Sequence, residues 1–268
     1  MRTSFADQVV LVTGGNSGFG LAIARAFAGA GAKVVLAARN IARLEQSAAE
    51  IQGALALPCD VSKRDQVDGL ISATVKRLER IDILVNNAGS GLISPVDSIR
   101  IEDAIALFQT NFFGAFNCTQ AVLPFMKQQQ HGYIVNMSSV AGLRGIPNSS
   151  VYSASKAALI AFSDALRIEV RPFGIFVTTL CPSRTNDTAF LSNAKKYGPI
   201  ELYNVPNTLT TPMVVKALFD AIERRKPMVI LPLHARLLHT LNKFAPSLLD
   251  RMLSKNMPTL STKTPERV

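Results

Sequence analysis

Tyr152 and Lys156 lie four residues apart, and Ser139 precedes the tyrosine by thirteen positions. On a helix, residues four apart share one face, so a phenol and an ammonium group would be neighbours there. Such a pair by itself is usually surface decoration. Here it accompanies a glycine-rich turn over residues 13–20 and the run Asn86-Asn87-Ala88-Gly89. A nucleotide-binding turn and a proton-donating pair on one chain indicate hydride-transfer chemistry.

The glycine-rich turn follows the first predicted strand and opens the first predicted helix. Glycine lets the backbone turn tightly and approach a pyrophosphate, whose negative charge the helix N-terminus attracts. Glycine-rich turns are common, so the position between a first strand and a first helix gives this one its weight. The residues of this turn predicted to contact a cofactor are Gly14, Asn16, Ser17, Gly18, Phe19 and Gly20.

The end of the second predicted strand reads Ala37-Ala38-Arg39-Asn40 and lacks an acidic residue. In NAD sites an acidic side chain near this point binds the adenosine ribose hydroxyls. Ala38 leaves space instead, and Arg39 supplies a charged fork that suits a 2′-phosphate. The alternative is that Arg39 merely begins the next helix. The missing acid and the present arginine together predict NADP(H) rather than NAD(H).

Two short runs follow the third and fourth predicted strands. Asp60 and Val61 are predicted to edge the adenine, and Asn87, Ala88 and Gly89 to allow close packing against the adenosine. Each run is also ordinary turn chemistry. We assign them to the cofactor because they follow successive strands at the same edge of the sheet.

Short apolar runs alternate with helical patterns along the chain. The runs lack period-two alternation, so both faces are predicted to be covered, as in a parallel sheet between helices. The predicted fold is therefore α/β, a single Rossmann-type doubly wound parallel sheet flanked by helices. The predicted strands are Val9–Val12, Lys33–Ala38, Ala54–Leu57, Ile81–Val85, Tyr133–Met137, Ile175–Leu180 and Met228–Leu231. The predicted helices are Gly18–Ala30, Ile41–Gln52, Lys63–Glu79, Ile101–Gln128, Val151–Val170 and Thr211–Arg224.

Composition narrows the class of protein. The 268 residues are 48% hydrophobic, enough for one sizeable core, and the formal net charge is +10. The basic residues are scattered rather than gathered in an arm, so nucleic acid is not an expected partner. Three cysteines, far apart and without metal-ligand spacing, fit a reducing compartment. With no signal-peptide core and no membrane-spanning run, a cytoplasmic protein is expected.

The motifs together resemble those of the short-chain dehydrogenase/reductase family, over about residues 7–232. The resemblance implies that Tyr152 is the general acid in carbonyl reduction and the base in alcohol oxidation. Lys156 would lower the tyrosine pKa and hold the nicotinamide ribose, while Ser139 would bind the substrate oxygen. Spacing to Tyr152 favours Ser139 over Ser138. Asn111 would join a water relay to Lys156, or else be a satisfied core asparagine.

One element departs from the family pattern. After the sixth strand the family usually has Pro-Gly followed by a threonine that binds the carboxamide. Here Pro182 is followed by Ser183, and either Thr185 or Thr188 could serve. The departure concerns loop geometry rather than reaction class, and Pro182 and Thr185 are retained as predicted cofactor contacts.

Two segments do not fit the strand–helix alternation. Residues 183–207 form a weakly patterned insertion at the expected ligand edge and are predicted to be a substrate-covering lid. Its apolar side chains are Phe190, Leu191, Tyr197, Ile200, Leu202 and Tyr203. Residues 1–232 are predicted to form the catalytic domain, and residues 233–268 an amphipathic helical extension, divided at Pro246, with a flexible tail. That extension could pack on the body or a second subunit, cover a greasy substrate, or lie on anionic lipid.

The sequence thus predicts an NADP(H)-dependent oxidoreductase that interconverts a carbonyl and a secondary alcohol, on a hydrophobic lipid-, steroid- or retinoid-like substrate. The alternatives are a 3-ketoacyl thioester reductase and a non-catalytic NADP(H)-binding sensor or scaffold. The resemblance also implies a homodimer or homotetramer. The long helices could pair between subunits because Ala154, Ala157, Ala158 and Ala161 allow close approach.

Overall fold

The computed structural model describes residues 5–185, 187–197 and 209–255, without the side chains of Met252 and Lys255. Seven strands form one parallel sheet, with a two-stranded ribbon beside it. The strands are β1 Val9–Thr13, β2 Lys33–Ala38, β3 Leu55–Pro58, β4 Ile83–Asn86, β5 Leu92–Ile93, β6 Gly132–Met137, β7 Ile175–Pro182, β8 Lys195–Lys196 and β9 Met228–Leu231. All seven predicted strands are therefore present.

Ten α-helices surround the sheet within the described residues. They are α1 Gly18–Gly29, α2 Ile41–Ala49, α3 Arg64–Leu78, α4 Ile101–Phe108, α5 Gly114–Gln129, α6 Val140–Leu143, α7 Ser150–Val170, α8 Thr211–Glu223, α9 Leu233–Phe244 and α10 Pro246–Lys255. A π-helical stretch, Gln109–Phe113, joins α4 to α5, and 3-10 turns cover Val96–Ser98 and Arg171–Phe173.

The main sheet has the order β3-β2-β1-β4-β6-β7-β9, with every pair parallel. The order reverses between β1 and β4, which places a crevice beyond their carboxyl ends where doubly wound folds bind ligands. This confirms the predicted Rossmann-type fold.

Both faces of the sheet are covered, which explains the continuous apolar runs in the sequence. Along β1, Val10 and Val12 join one buried cluster with α1, α2 and α8, while Leu11 joins the other with α3, α5 and α7. Alternate side chains of each central strand thus enter opposite halves of the core.

The predicted single helix over residues 101–128 is wrong in its middle. The structure widens to a π-helical stretch there, and Asn111 lies within it, 1% exposed. Its side chain turns inward to hydrogen-bond the loop after β4 and helix α7. Stretches of this kind are frequent at functional sites.

The two segments outside the alternation are described in part. Residues 186 and 198–207 of the predicted lid, including Ile200, Leu202 and Tyr203, lie outside the described residues, as does the predicted flexible tail from residue 256. The first half of the lid returns to the body as β8, which pairs with β5. The extension forms two helices separated at Pro246, as predicted. No helix among the residues the structure describes is long and apolar enough to cross a membrane.

Candidate active site

The glycine-rich turn is built for a close approach of backbone to ligand. Gly14 adopts a left-handed conformation with φ +63°, and a Cβ on Gly20 would lie 2.2 Å from the Gly14 carbonyl oxygen. Side chains at these positions would fill the turn, so glycine is required at both. The turn leads into α1, whose first residues, Gly18 and Phe19, line the cavity described below.

Asn87 ties the fourth strand to this turn. Its side-chain amide donates to the carbonyls of Thr13 (3.0 Å) and Gly14 (3.2 Å), and the Thr13 hydroxyl accepts from the amides of Asn87 and Ala88. Asn87 also lines the cavity described below. A Cβ on Gly89 would lie 3.3 Å from Asn111 Oδ1 and 3.5 Å from Lys156 Nζ. This run therefore packs the glycine-rich turn on one side and Asn111 and Lys156 on the other.

A cavity of about 970 Å³ lies at the carboxyl edge of the sheet. About half of the residues that the sequence assigned to chemistry line it, together with Thr188, the alternative to Thr185: Ser17, Gly18, Phe19, Asn87, Ser139, Tyr152, Lys156, Pro182 and Thr185. One cavity reaches from the glycine-rich turn to Tyr152, and its volume lies within the range of small-molecule and cofactor sites. The residues present thus fit a nicotinamide cofactor.

Lys156 is buried, 4% exposed, and its Nζ donates to the carbonyl oxygen of Met137 at 2.8 Å. The ammonium group lies 5.9 Å from the centroid of the Tyr152 ring, on the same face of α7. Burial lowers the pKa of Lys156 to about 8, an effect that the neighbouring Cys181 opposes. The lysine is therefore a positive group held at an electrostatic cost beside the phenol.

Tyr152 lies in the first turn of α7, half-buried, with the Phe190 ring of the lid 5.8 Å from its own. Burial raises the pKa of Tyr152 to about 12, and its interaction with the Ser139 hydroxyl acts in the opposite direction. At neutral pH the phenol is protonated. That state is the one needed to donate a proton to a substrate oxygen.

The adjacent residues Ser138 and Ser139 make different hydrogen bonds. The Ser138 hydroxyl donates to the Lys156 carbonyl oxygen at 2.9 Å and so fixes β6 to α7. Ser139 caps the short helix α6 by accepting from Ala141 and makes a long contact of 3.4 Å to the Pro182 carbonyl. The Ser139 hydroxyl thus interacts with Tyr152 in addition to these two partners, which supports the choice made from spacing.

The side chain of Asn111 is saturated within the protein. Oδ1 accepts from the Ser90 amide at 2.8 Å, and Nδ2 donates to the Ser90 carbonyl (3.0 Å) and the Ser155 hydroxyl (3.2 Å). No hydrogen bond joins this side chain to Lys156 among the contacts the structure describes. Asn111 is therefore hydrogen-bonded within the core and holds the Ser90 loop, and its part in a water relay to Lys156 stays a prediction.

The residues predicted to contact the adenosine end are placed differently. Asp60 lies at the end of β3, where its carboxylate accepts from the amide and hydroxyl of Ser62 and closes its own turn. Val61 is buried against Gly114. Neither Asp60 nor Val61 lines the cavity. Two other predicted contacts also lie outside it: Asn16, whose carbonyl oxygen accepts from the Ser47 hydroxyl, and Arg39, whose side chain is exposed. Their contacts with a cofactor remain predictions.

The sequence missed two parts of the site. Arg43, in the first turn of α2, lines the same cavity as Ser17 and Gly18, and only its position four residues after Arg39 could have drawn attention to it. The other is a buried polar chain beneath the catalytic groups. Asn86 donates to Asn136 (2.9 Å), and Asn136 donates to Ser163 (2.8 Å), which joins β4, β6 and α7.

The lid and the C-terminal helices close the cavity. Phe190, Leu191 and Ala194 of the lid line it, and Tyr197 and Lys195 anchor the lid to Asp103 of α4. From the extension, the lining residues are His234, Ala235, Leu238, His239, Leu249 and Leu253. The extension is thus a wall of the same cavity that holds Tyr152.

Comparison with known proteins defines the class. The family model for short chain dehydrogenases matches residues 8–197, which is most of the chain. The chain therefore belongs to the short-chain dehydrogenase/reductase family of oxidoreductases, as its motifs predicted, and a nicotinamide cofactor is a property of that family.

Individual relatives agree with this. The chain is 34% identical to a dehydrogenase/reductase SDR family protein 7-like of Anopheles gambiae, over 95% of this chain and 84% of that protein. It is 30% identical to the ketoacyl reductase HetN of a Nostoc strain, over 93% and 89% of the two chains. A short chain dehydrogenase/reductase from Burkholderia phymatum, solved in complex with NAD, superimposes with a TM-score of 0.83, at 25% identity over 92% of this chain and 96% of that chain.

Proposed function

We propose that this protein is an NADP(H)-dependent oxidoreductase that interconverts a carbonyl and a secondary alcohol on a hydrophobic substrate. The observation that carries the proposal is the convergence of Tyr152, Ser139 and Lys156 on one cavity that begins at the glycine-rich turn. Apolar side chains from the lid and α9 make up much of the far wall, which suits a lipid-, steroid- or retinoid-like body.

The roles follow from the chemistry of each side chain. A bound nicotinamide supplies or accepts the hydride at the substrate carbon. Tyr152 donates its phenolic proton to the substrate oxygen in reduction and takes it back in oxidation. The Ser139 hydroxyl binds the same oxygen and stabilises its developing negative charge. The Lys156 ammonium stabilises the phenolate left behind and can hold the nicotinamide ribose.

The preference for NADP(H) rests on two arginines. No acidic side chain ends β2, Arg39 is exposed there, and Arg43 lines the cavity beside Ser17. We expect Arg39→Ala together with Arg43→Ala to lower kcat/KM for NADPH about 10- to 100-fold, because a hydrogen bond to a charged group contributes about 1.5–3 kcal/mol. Turnover with NADH should hardly change. Steady-state kinetics with both cofactors measure this.

The matched control is Arg25→Ala on α1, whose guanidinium pairs with Glu50 and does not line the cavity. It should leave both cofactors unaffected. An unchanged ratio of NADPH to NADH activity in the double variant would show that neither Arg39 nor Arg43 binds the 2′-phosphate. If the double variant does lose NADPH activity, the two single variants show how much of that loss each arginine accounts for.

Two other functions remain to be tested against this one. A 3-ketoacyl thioester reductase is supported by the similarity to the ketoacyl reductase HetN. A non-catalytic NADP(H) sensor is opposed by the complete set of Ser139, Tyr152 and Lys156 at the cavity. NADPH consumption by purified protein across ketones, aldehydes, steroids, retinal and acetoacetyl thioesters separates them. Turnover of thioesters alone favours the first, and tight NADPH binding without any turnover favours the second.

Association with other surfaces is part of the proposal. Exposed apolar side chains on α4 and α7, among them Ile105 and Ile168, support a homodimer or homotetramer. On the outer face of α9, Leu237 and Phe244 are exposed beside Lys243 and support peripheral contact with anionic lipid. In analytical ultracentrifugation we expect an oligomer, which Ile168→Lys should dissociate into monomers. The protein should also float with anionic vesicles, and Phe244→Glu should abolish that flotation.

The three buried cysteines, none of which forms a disulfide, support a cytoplasmic location.

A further inference from the structure

The lid leaves the body of the protein and returns to it at the same place. Thr185 at its start forms a parallel bridge with Leu209, just beyond its end. The Asp187 carboxylate accepts from the Thr211 amide at 2.6 Å, which fixes the same region to the first turn of α8. The base of the lid is therefore closed. Contacts farther along the lid must decide how it lies over the cavity.

The far end of the described part of the lid is attached to α4 through one carboxylate. Lys195 Nζ donates to Asp103 Oδ1 at 2.6 Å, and the Tyr197 hydroxyl donates to Oδ2. These hydrogen bonds, first that of Lys195 and then that of Tyr197, lower the pKa of Asp103, so the carboxylate is charged at neutral pH. Asp103 does not line the cavity. It can therefore act on the site only through the lid.

The loop after β4 receives the lid from the other side. The Lys195 amide donates to the Gly91 carbonyl at 3.0 Å, and β8 pairs with β5. A Cβ on Gly91 would lie 2.8 Å from the Ala194 Cβ and 3.4 Å from Phe190 Cε1. Glycine at this position thus lets the lid approach closely. In that position the ring centroids of Phe190 and Tyr152 are 5.8 Å apart.

We propose that Asp103 is a positioning residue that holds the lid closed over the reacting groups. Its two hydrogen bonds keep Phe190 against Tyr152 and keep the apolar side chains of the lid in the wall of the cavity. The effect of Asp103 on substrate affinity rests on the proposed function, whereas its effect on the lid does not. Removal of the carboxylate should raise KM and leave kcat unchanged, because the proton-transfer residues stay in place.

A single tryptophan can report the position of the lid. The chain contains no tryptophan, so Phe190→Trp places one reporter against Tyr152. Addition of Asp103→Ala should shift its emission to longer wavelength and increase its quenching by acrylamide, because the released indole becomes exposed to water. Addition of Asp103→Glu, which keeps a carboxylate, should restore most of the original emission.

Steady-state kinetics test the consequence for the substrate. With NADPH and a long-chain methyl ketone, Asp103→Ala alone should raise the KM for the ketone about tenfold, the effect of one hydrogen bond to a charged group. Glu102→Ala is the matched control. Glu102 occupies the same turn of α4, its side chain is 69% exposed, and it faces Arg100 at 3.8 Å. Its loss should change neither the emission nor KM.

Gly91→Ala displaces the lid while Asp103 remains intact. The new methyl group would overlap Ala194, so the lid must move outward, with the same shift in emission and a higher KM. Gly91→Ala combined with Ala194→Gly removes that overlap and should restore both values. Circular dichroism verifies that each variant is folded.

The outcomes separate the inference from the proposed function. Emission that is unchanged by Asp103→Ala, or changed equally by Glu102→Ala, would overturn the inference. A shift in emission with an unchanged KM would overturn the role of Asp103 in substrate binding. If the wild type reduces no carbonyl and Asp103→Ala still shifts the emission, the proposed oxidoreductase function fails, and Asp103 keeps its role in positioning the lid.

Discussion

Replacing Tyr152 by phenylalanine should lower kcat/KM for carbonyl reduction about a hundred- to ten-thousand-fold, while NADPH still binds. The variant keeps the ring that packs 5.8 Å from Phe190 and removes only the hydroxyl. Proton transfer by a positioned side chain contributes about that factor. The Ser139 hydroxyl remains to bind the oxygen but does not replace a general acid, so residual turnover should be slow.

The same variant also tests how the rate of reduction depends on pH. Burial holds the pKa of Tyr152 at about 12 in the ligand-free protein, so the phenol stays protonated over the neutral range. The phenol should therefore cause a fall in the wild-type rate of reduction only at strongly alkaline pH, apart from the change as Lys156 loses its proton near pH 8, and the alkaline fall should vanish in Tyr152→Phe.

Tyr133→Phe is the matched control for Tyr152→Phe. Its hydroxyl is buried between Thr178 and the Ala221 carbonyl, away from the cavity, so its loss should reduce stability but not turnover. Fluorescence titration with NADPH confirms that each variant is folded and loaded. Turnover within tenfold of wild type in Tyr152→Phe would contradict the assignment of Tyr152 as the acid.

Replacing Lys156 by methionine should make the ligand-free protein more stable at pH 7.5 while it abolishes activity. Burial lowers the pKa of Lys156 from 10.5 to about 8. Since one pKa unit corresponds to about 1.4 kcal/mol, the buried charge costs about 3 kcal/mol of folding free energy at neutral pH. The lost hydrogen bond from the charged ammonium to the Met137 carbonyl offsets about 1.5–3 kcal/mol of that. A net gain of about 1 kcal/mol is expected.

The pH dependence gives this prediction its sign. The folded pKa is the lower one, so the penalty is complete below pH 8 and is relieved as pH rises from about 8 towards 10.5. The stability difference between Lys156→Met and wild type should shrink over that range. Equilibrium unfolding in urea at pH 7.5 and pH 10 measures it, with the exposed Lys33→Met as control. A less stable Lys156→Met protein at pH 7.5 would show that the charge is well compensated in the folded site.

The sheet could be predicted from the sequence because burial on both faces leaves a local trace. Apart from Thr13 and Lys33 at their ends, β1 and β2 consist of valine, leucine and alanine, and a parallel sheet between helices covers both faces of such runs. The widened stretch at Gln109–Phe113 left no such trace. Its cause is the contact of Asn111 with Ser90 and Ser155, which depends on residues far away in the chain.

The candidate site shows the same division. Tyr152 and Lys156 are close in sequence, so their spacing alone places them on one face of α7. The spacing of the leucines in α9 predicts an amphipathic helix, but it does not determine which face of that helix lines the cavity. Leu237 points to solvent, and His239 points to the cavity. Which side faces inward is set by Arg144 through Asn242 and Asp250, a contact across about a hundred residues.

The split between a catalytic floor and a C-terminal wall has an evolutionary consequence. Tyr152, Ser139 and Lys156 are held by the sheet and α7, over the buried chain Asn86–Asn136–Ser163, and none of these elements contains a residue of α9 or α10. If the proposed function is right, mutations in the last two helices change the wall of the cavity without touching the residues assigned to proton transfer. After gene duplication, one copy could therefore change its substrate preference through substitutions in α9 and α10 alone.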